Sequence, residues 1–229
     1  MEKYAVIVAG GSGTRMGGGM PKQFRSLKGK PVLWWSMKAF HDDDPKTKII
    51  LVLPGDFISL WNDFFSSLPQ SDRFPHDVAT GGGTRTESVK NGLALIPDKN
   101  HATEDSLVAV HDGARPLVSP ETIDKGWATA EKFAAAIPVV AVTDSLRSIK
   151  HSPSKAVDRD EFKAVQTPQV FRTSLLKEAY SKTGEGVFSD DATVVENMGI
   201  PVALFEGRHD NIKITNPKDL AVAEVLMGG

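Results

Sequence analysis

The 229-residue sequence contains no cysteine, which excludes disulfides, thiolate metal sites and a cysteine nucleophile. It also lacks a basic surplus: the formal net charge is -2, whereas a surface that neutralises nucleic-acid phosphates is normally basic, so no nucleic-acid partner is expected. The six histidines, at 41, 76, 101, 111, 151 and 209, show no i, i+4 pairing, which argues against a histidine-built metal site. No apolar run approaches the roughly 20 residues of a membrane span, and the N-terminus enters a strand without a signal peptide. A cytoplasmic protein with no membrane association is expected. Two common phosphate-loop signatures are missing as well. No Lys-Ser or Lys-Thr follows a glycine as the P-loop requires, and Met16 stands where the dinucleotide fingerprint needs its third glycine.

What is present is a glycine-rich loop after a buried strand. The run Ala5 to Lys22, AVIVAGGSGTRMGGGMPK, starts with branched apolar residues suited to a parallel strand and stops at glycines. Gly10, Gly11 and Gly13 offer backbone N–H groups, with Arg15 and Lys22 as cations at either end, an arrangement that holds the anionic groups of a nucleoside triphosphate. A flexible turn with two solvated basic residues accounts equally well for an isolated glycine cluster. The pattern G-G-x-G-T-R-M followed by P-K-Q is more specific.

Further along, Pro31 to Phe40 has helical spacing with Pro31 in the first turn, and Lys48 to Leu53 is a buried strand. Leu60, Trp61, Phe64, Phe65 and Leu68 form one apolar helical stripe. A strand over 77–80 leads into Gly81, Gly82 and Gly83 and then Thr84-Arg-Thr-Glu87, the form of a capping box. That second glycine turn is expected to present free N–H groups beside the first loop, together with Arg85 and Ser88. The strand over 107–110 ends in His111-Asp-Gly-Ala-Arg-Pro116. Asp112 is placed there to coordinate Mg²⁺ or a ribose hydroxyl, with Arg115 close by. Ser119 and Pro120 open a helix, and 135–142 is a fifth strand.

The segment 143–165 is polar, charged and broken by Ser152-Pro153, and reads as an extended β-hairpin arm with little core of its own. Such an arm needs something to pack on, so a homodimer through it is expected. Ser189-Asp-Asp191 places acids in the first turn of a helix, where the dipole favours them. Lys213, between Ile212 and Ile214, sits in a short strand-like run, where it is either an edge residue or directed into a cleft. Alternating strands and helices predict one α/β domain over 1–229: a three-layer αβα sandwich with a Rossmann-like, mainly parallel sheet and a protruding β-arm.

The segments GGSGTRMGGGMPKQF, GGGTRTESV, HDGARP, AVDR, QTPQVF and EGRHDNIKIT, in this order over almost the whole chain, resemble the 2-C-methyl-D-erythritol 4-phosphate cytidylyltransferase family. The resemblance implies transfer of a cytidylyl group from CTP to methylerythritol phosphate with release of pyrophosphate, in non-mevalonate isoprenoid synthesis. It also implies Mg²⁺ and a homodimer with interlocked arms. Arg15 and Lys22 match the pair that stabilises the transition state, and Arg159 and Lys213 the residues that position methylerythritol phosphate. Ala9, Gly10, Gly11, Ser12 and Gly13, with Gly82, Arg85, Ser88, Asp112 and Gly113, match positions around the nucleotide. Thr167 and Arg115 match positions lining the cleft. Ser145 stands where many members carry threonine and retains the hydroxyl. Cytidylyltransferases for ribitol 5-phosphate share the loop and the QTPQ and NIK motifs; Val157-Asp-Arg159 and HDGARP favour methylerythritol. A non-catalytic nucleotide-binding regulator of the same fold is the more distant alternative.

Overall fold

The computed structural model describes residues 1–10, 21–98, 105–150, 152–184 and 188–228. In chain order the elements are β1 (Lys3–Val8), β2 (Ser26–Leu27), β3 (Lys30–Pro31), α1 (Val32–Asp43), β4 (Lys48–Leu53), α2 (Ile58–Ser67), β5 (Asp77–Thr80) and α3 (Arg85–Ala94). There follow β6 (Leu107–Asp112), α4 (Pro120–Phe133), β7 (Ala135–Ala141), β8 (Arg147–Ser148), β9 (Lys155–Ala156), β10 (Lys163–Val165) and β11 (Gln169–Arg172). The chain continues with α5 (Thr173–Lys182), α6 (Asp191–Glu196), β12 (Ala203–Glu206) and α7 (Pro217–Leu226).

Strand pairing runs β12, β7, β11, β6, β1, β4, β5 across the main sheet. The pairs β1–β4, β1–β6, β4–β5 and β7–β12 are parallel. The exceptions are β11, antiparallel to both β6 and β7, and β10, antiparallel to β7. β10 lies along the same edge of β7 as β11, since Val139 already meets Glu206 of β12 on the other edge while pairing with Val165. The sheet is therefore mainly parallel with one reversed line of strands at β10–β11.

Period-two alternation explains why the strand sequences are continuously apolar: both faces are covered. Ala5, Ile7, Ile49, Leu51, Leu53 and Ala109 face one core with Leu33 and Phe40 of α1, Trp61 of α2 and Trp127 of α4. Tyr4, Val6, Val8, Ile50, Val52 and Val110 face the other with Val89 and Leu93 of α3, Leu176 of α5 and Val195 of α6. These are the three layers.

Several local expectations are refined. Leu60 leaves the apolar stripe of α2 and is 36% exposed, while Trp61 is fully buried. Pro31 stands just before α1, at its N-cap, with the extended backbone angle it prefers. The stretch 211–215 forms no strand; it is held by Ile214 N–H donating to the Ala114 carbonyl at 2.8 Å. In the arm, β8 and β9 pair only with each other, and most of the flanking described residues are exposed, Leu146 and Val157 being half-buried. Lys163–Val165, expected within the arm, instead pairs with Ala141, Val140 and Val139 of the main sheet.

Candidate active site

Parallel strands that diverge at their carboxyl ends leave a crevice there, and this is where the loops gather. Val8, Ala9 and Gly10 from β1, Asp112 and Ala114 from β6, Gly82 to Arg85 and Ser88 around the start of α3, Lys22 and Gln23, and Lys213 line one cleft of about 270 Å³. Gly11, Ser12, Gly13 and Arg15 lie outside the described residues.

Lys22 opens a short 3₁₀ turn, Lys22–Phe24. Its neighbour Gln23, which the sequence reading left without a role, is 1% exposed and donates from Nε2 to the Ala9 carbonyl at 2.7 Å. The two ends of the glycine loop are thus tied together beneath the cleft.

The second glycine turn departs from expectation. Its N–H groups are already engaged: Gly81 to the Leu53 carbonyl at 2.7 Å, Gly82 to Ser88 Oγ at 3.1 Å, and Gly83 to Glu87 Oε2 at 2.7 Å. Thr84 Oγ1 accepts from Glu87 N–H as a cap, but the Glu87 carboxylate reaches Gly83 instead of returning to Thr84. Glycine is obligatory at 82 for a steric reason: a Cβ there would lie 2.2 Å from Glu87 Cβ. Gly113 has the same logic, its Cβ position lying 2.8 Å from Leu33 Cδ1 and 3.1 Å from Ala9 Cβ. Both glycines let backbone pack closely, and this turn shapes the cleft wall more than it supplies donors.

Arg85 extends along that wall into a bidentate ion pair with Asp191, Nη1 to Oδ1 at 3.0 Å and Nη2 to Oδ2 at 2.6 Å. Asp191 stands in the first turn of α6, as expected, with Asp190 as the cap, and it is also buried against Arg85 and Tyr180. Burial opposes the Arg85 charge, but Asp191 outweighs it and drives the guanidinium pKa up.

Asp112 is the one carboxylate among the described residues lining the cleft. Lys213 Nζ sits 2.8 Å from its Oδ2 and Arg115 Nε 3.5 Å away. Burial pushes the Asp112 pKa up, yet Lys213, Arg85 and Arg115 together hold it well below the usual carboxylate range. Behind it, Asp112 N–H donates to Thr167 Oγ1 at 3.1 Å, and that hydroxyl pairs with His111 Nδ1 at 3.1 Å. His111 Nε2 meets the Arg115 carbonyl at 3.1 Å, and Arg115 Nη1 donates to the Asn211 carbonyl at 2.7 Å. Facing a carbonyl, Nε2 must donate, so the neutral His111 ring is the Nε2–H tautomer and its Nδ1 accepts from the Thr167 hydroxyl. Thr167 and Arg115 accordingly brace Asp112 from behind, outside the cleft lining.

The remaining two sequence candidates lie on the arm. Ser145 and Arg159 are exposed, and Arg159 Nη1 donates to the Thr143 carbonyl at 2.5 Å. Within one chain they do not line the cleft.

The chemistry this arrangement suits is the binding of a polyanion: cations from separate elements converge on a cleft with one carboxylate. Residues 4–229 match the IspD family, 2-C-methyl-D-erythritol 4-phosphate cytidylyltransferase. The chain belongs to this family. A Bacteroides thetaiotaomicron protein named 2-C-methyl-D-erythritol 4-phosphate cytidylyltransferase is 47% identical over 229 residues, covering 99% of this chain and 100% of the relative. Among solved structures, 4-diphosphocytidyl-2C-methyl-D-erythritol synthase from Anaerococcus prevotii superposes with a TM-score of 0.82 at 26% identity, covering 100% of this chain and 99% of that one. The cytidylyltransferase from Thermus thermophilus gives 0.77 at 34% identity and 100% coverage of both chains. Cytidylyltransferases are nucleotidyltransferases, enzymes that generally use a divalent metal. Among the described residues no cluster of three histidines or carboxylates gathers to cage an ion. The one carboxylate of the cleft among the described residues, Asp112, is a hard oxygen donor of the kind a divalent metal takes alongside water and substrate phosphates. Among the described residues no helix is long and apolar enough to cross a membrane.

Proposed function

We propose that this protein transfers the cytidylyl group of CTP to 2-C-methyl-D-erythritol 4-phosphate, giving 4-diphosphocytidyl-2-C-methyl-D-erythritol and pyrophosphate in non-mevalonate isoprenoid biosynthesis. The observation that carries the reading is the convergence of Lys22, Lys213 and Asp112 on one cleft at the strand ends of a chain that belongs to this family. An oxygen of the substrate phosphate attacks the α-phosphorus of CTP, the new P–O bond forms, and the bond to the β-phosphate oxygen breaks as pyrophosphate leaves. The nucleophile is already anionic, so no protein base or nucleophile is needed. The demand on the protein is to bring two anions together and to neutralise charge that builds at the phosphorus.

In this reading Lys22, with Arg15 from the glycine loop, neutralises the transferring phosphates, and Lys213 positions the incoming phosphate. Ala9 to Gly13, Gly82, Arg85, Ser88 and Gly113 surround the nucleotide. Asp112 holds Mg²⁺, which when bound supplies Lewis-acid neutralisation of phosphate oxygens. Thr167 and Arg115 act through Asp112, whose backbone and carboxylate they fix. The chain forms one domain, and arms over 143–162 interlock in a cytoplasmic homodimer that carries Ser145 and Arg159 to the neighbouring subunit's cleft.

The experiment is pyrophosphate release from CTP and Mg²⁺, with methylerythritol phosphate and ribitol 5-phosphate compared side by side. Release with methylerythritol phosphate alone is expected. Release with ribitol 5-phosphate alone would move the activity to polyol activation, and CTP binding without turnover of either would indicate a regulator.

A further inference from the structure

The Arg85–Asp191 pair is built unlike the other charged contacts of the cleft. Lys213 reaches Asp112 with one ammonium on a side chain that is 41% exposed, a contact that a ligand phosphate can exchange. Arg85 is gripped through both terminal nitrogens by a carboxylate with no solvent exposure, from an element 106 positions further along the chain. Tyr180 donates from its hydroxyl to the same Asp191 oxygen at 2.5 Å. Gln169 Oε1 accepts from the Asp191 and Ala192 N–H groups at 3.0 and 2.9 Å, while its Nε2 donates to Asp190 at 3.0 Å. Strand β11, helix α5 and helix α6 therefore all contribute to aiming one arginine that lines the cleft.

A bidentate pair cancels most of the charge that Arg85 presents at a distance but leaves further N–H groups of its fork to donate. Such a group is poorly suited to gather a polyphosphate and well suited to hydrogen-bond a neutral polar ligand in a fixed direction. Its neighbours along the wall agree: Gly82, Gly83, Thr84 and Ser88 carry no charge, whereas Lys22 and Lys213 come from other elements. We infer that Asp191 is a positioning residue that, through Arg85, fixes the nucleoside end of the nucleotide, leaving the phosphates to Lys22 and Lys213. The inference rests on the CTP-dependent function proposed above.

Isothermal titration of the full-length chain with CTP and, separately, with pyrophosphate tests it. In Asp191→Asn, CTP binding weakens by roughly tenfold or more while pyrophosphate binding stays within about twofold, the loss expected when a charged hydrogen-bonding partner is removed. Arg85→Lys, which keeps the charge and loses the fork, shows the same selective loss, and the double variant is no worse than either single one. A merely structural pair would lower the folded fraction and leave the ratio of the two affinities at its wild-type value, and that result overturns the inference. If Asp191→Asn does not fold, Arg85→Lys and Tyr180→Phe are read in the same way. Wild-type protein that binds pyrophosphate but not CTP removes the proposed function itself, a result separable from any behaviour of the variants.

Discussion

Lys213 Nζ lies 2.8 Å from Asp112 Oδ2, although the two residues come from a C-terminal loop and from the end of a central strand. The Asp112 carboxylate is only 13% exposed and needs its cationic neighbours to remain ionised there. Replacing Asp112 by Asn removes the carboxylate that Lys213 and Arg115 contact, while Arg85 keeps its own partner in Asp191. Lys213 is 41% exposed and can turn to solvent, so losing this pair costs less than losing a fully buried one, about 1–2 kcal/mol. Urea unfolding of Asp112→Asn is therefore expected to show that loss, and an unchanged midpoint would refute the pairing.

Lys22→Ala is expected to fold with a wild-type melting temperature, since the side chain belongs to the cleft wall and not to either core. Its turnover falls on the order of 10²–10³, the typical cost of one transition-state donor, with little change in CTP affinity. Steady-state kinetics beside CTP titration separate the two quantities. Near-normal turnover would take the assigned role away.

Gly82→Ala should be costly for a reason unrelated to backbone freedom. The added methyl meets Glu87 Cβ at 2.2 Å and Oε2 at 2.7 Å, so the turn has to move and the Gly83–Glu87 bond is strained. Overpacking of this kind costs about 1–3 kcal/mol. Both thermal stability and CTP affinity are expected to fall, and Gly82→Ala with wild-type values of each would contradict the geometry.

His111 gives the protein a defined acid sensitivity. Burial pushes its pKa down to about 4 from an ordinary value of 6.5. The unfolded chain takes up a proton below 6.5 that the folded chain refuses, so stability declines as pH falls from 6.5 and levels off below about 4. The loss amounts to about 2 kcal/mol at pH 5 and about 3 kcal/mol in all. Urea unfolding at pH 7 and pH 5 should show this part of the decline vanish in His111→Asn. Taking the difference between proteins cancels Asp43, whose pKa is raised to about 6 by burial and by Asp124 and acts with the opposite sign.

Hybrid dimers test the arm. Mixing inactive Lys22→Ala with inactive Arg159→Ala subunits is expected to restore activity if each cleft takes Arg159 from its neighbour. Verified subunit exchange without recovery would mean that a single chain supplies the whole site.

The strands and helix starts that build the cleft were legible because each carries its own signal. Lys48–Leu53 and Asp77–Thr80 have the limits that apolar runs and flanking turn residues indicate, and Ser119-Pro120 marks the start of α4. Candidate residues from β1, α3, β6 and the 213 loop do meet in one place. What the sequence obscured was set by distant partners. Gln169–Arg172 follows a proline and is short, so nothing local reveals a reversed strand between β6 and β7. Asp191 looked like a dipole-stabilising acid because its partner, Arg85, is 106 positions away. The N–H groups of Gly82 and Gly83 seemed available because the side chains that claim them had other readings, Glu87 as a helix cap and Ser88 as a nucleotide contact. Gln23 and Asn211 lay inside recognised motifs, yet only burial and their bonds to Ala9 and Thr167 show what they hold.

The reversed line of strands has a consequence for the arm. Both feet of the arm are clamped by one antiparallel pairing, Val139–Ala141 against Lys163–Val165, and the chain passes from there through Gln166 directly to Thr167. Thr167 grips the backbone of Asp112 and, through its carbonyl, the side chain of Asn211. The base of the arm and the floor of the cleft are thus set by one short stretch of backbone, two residues apart in the chain.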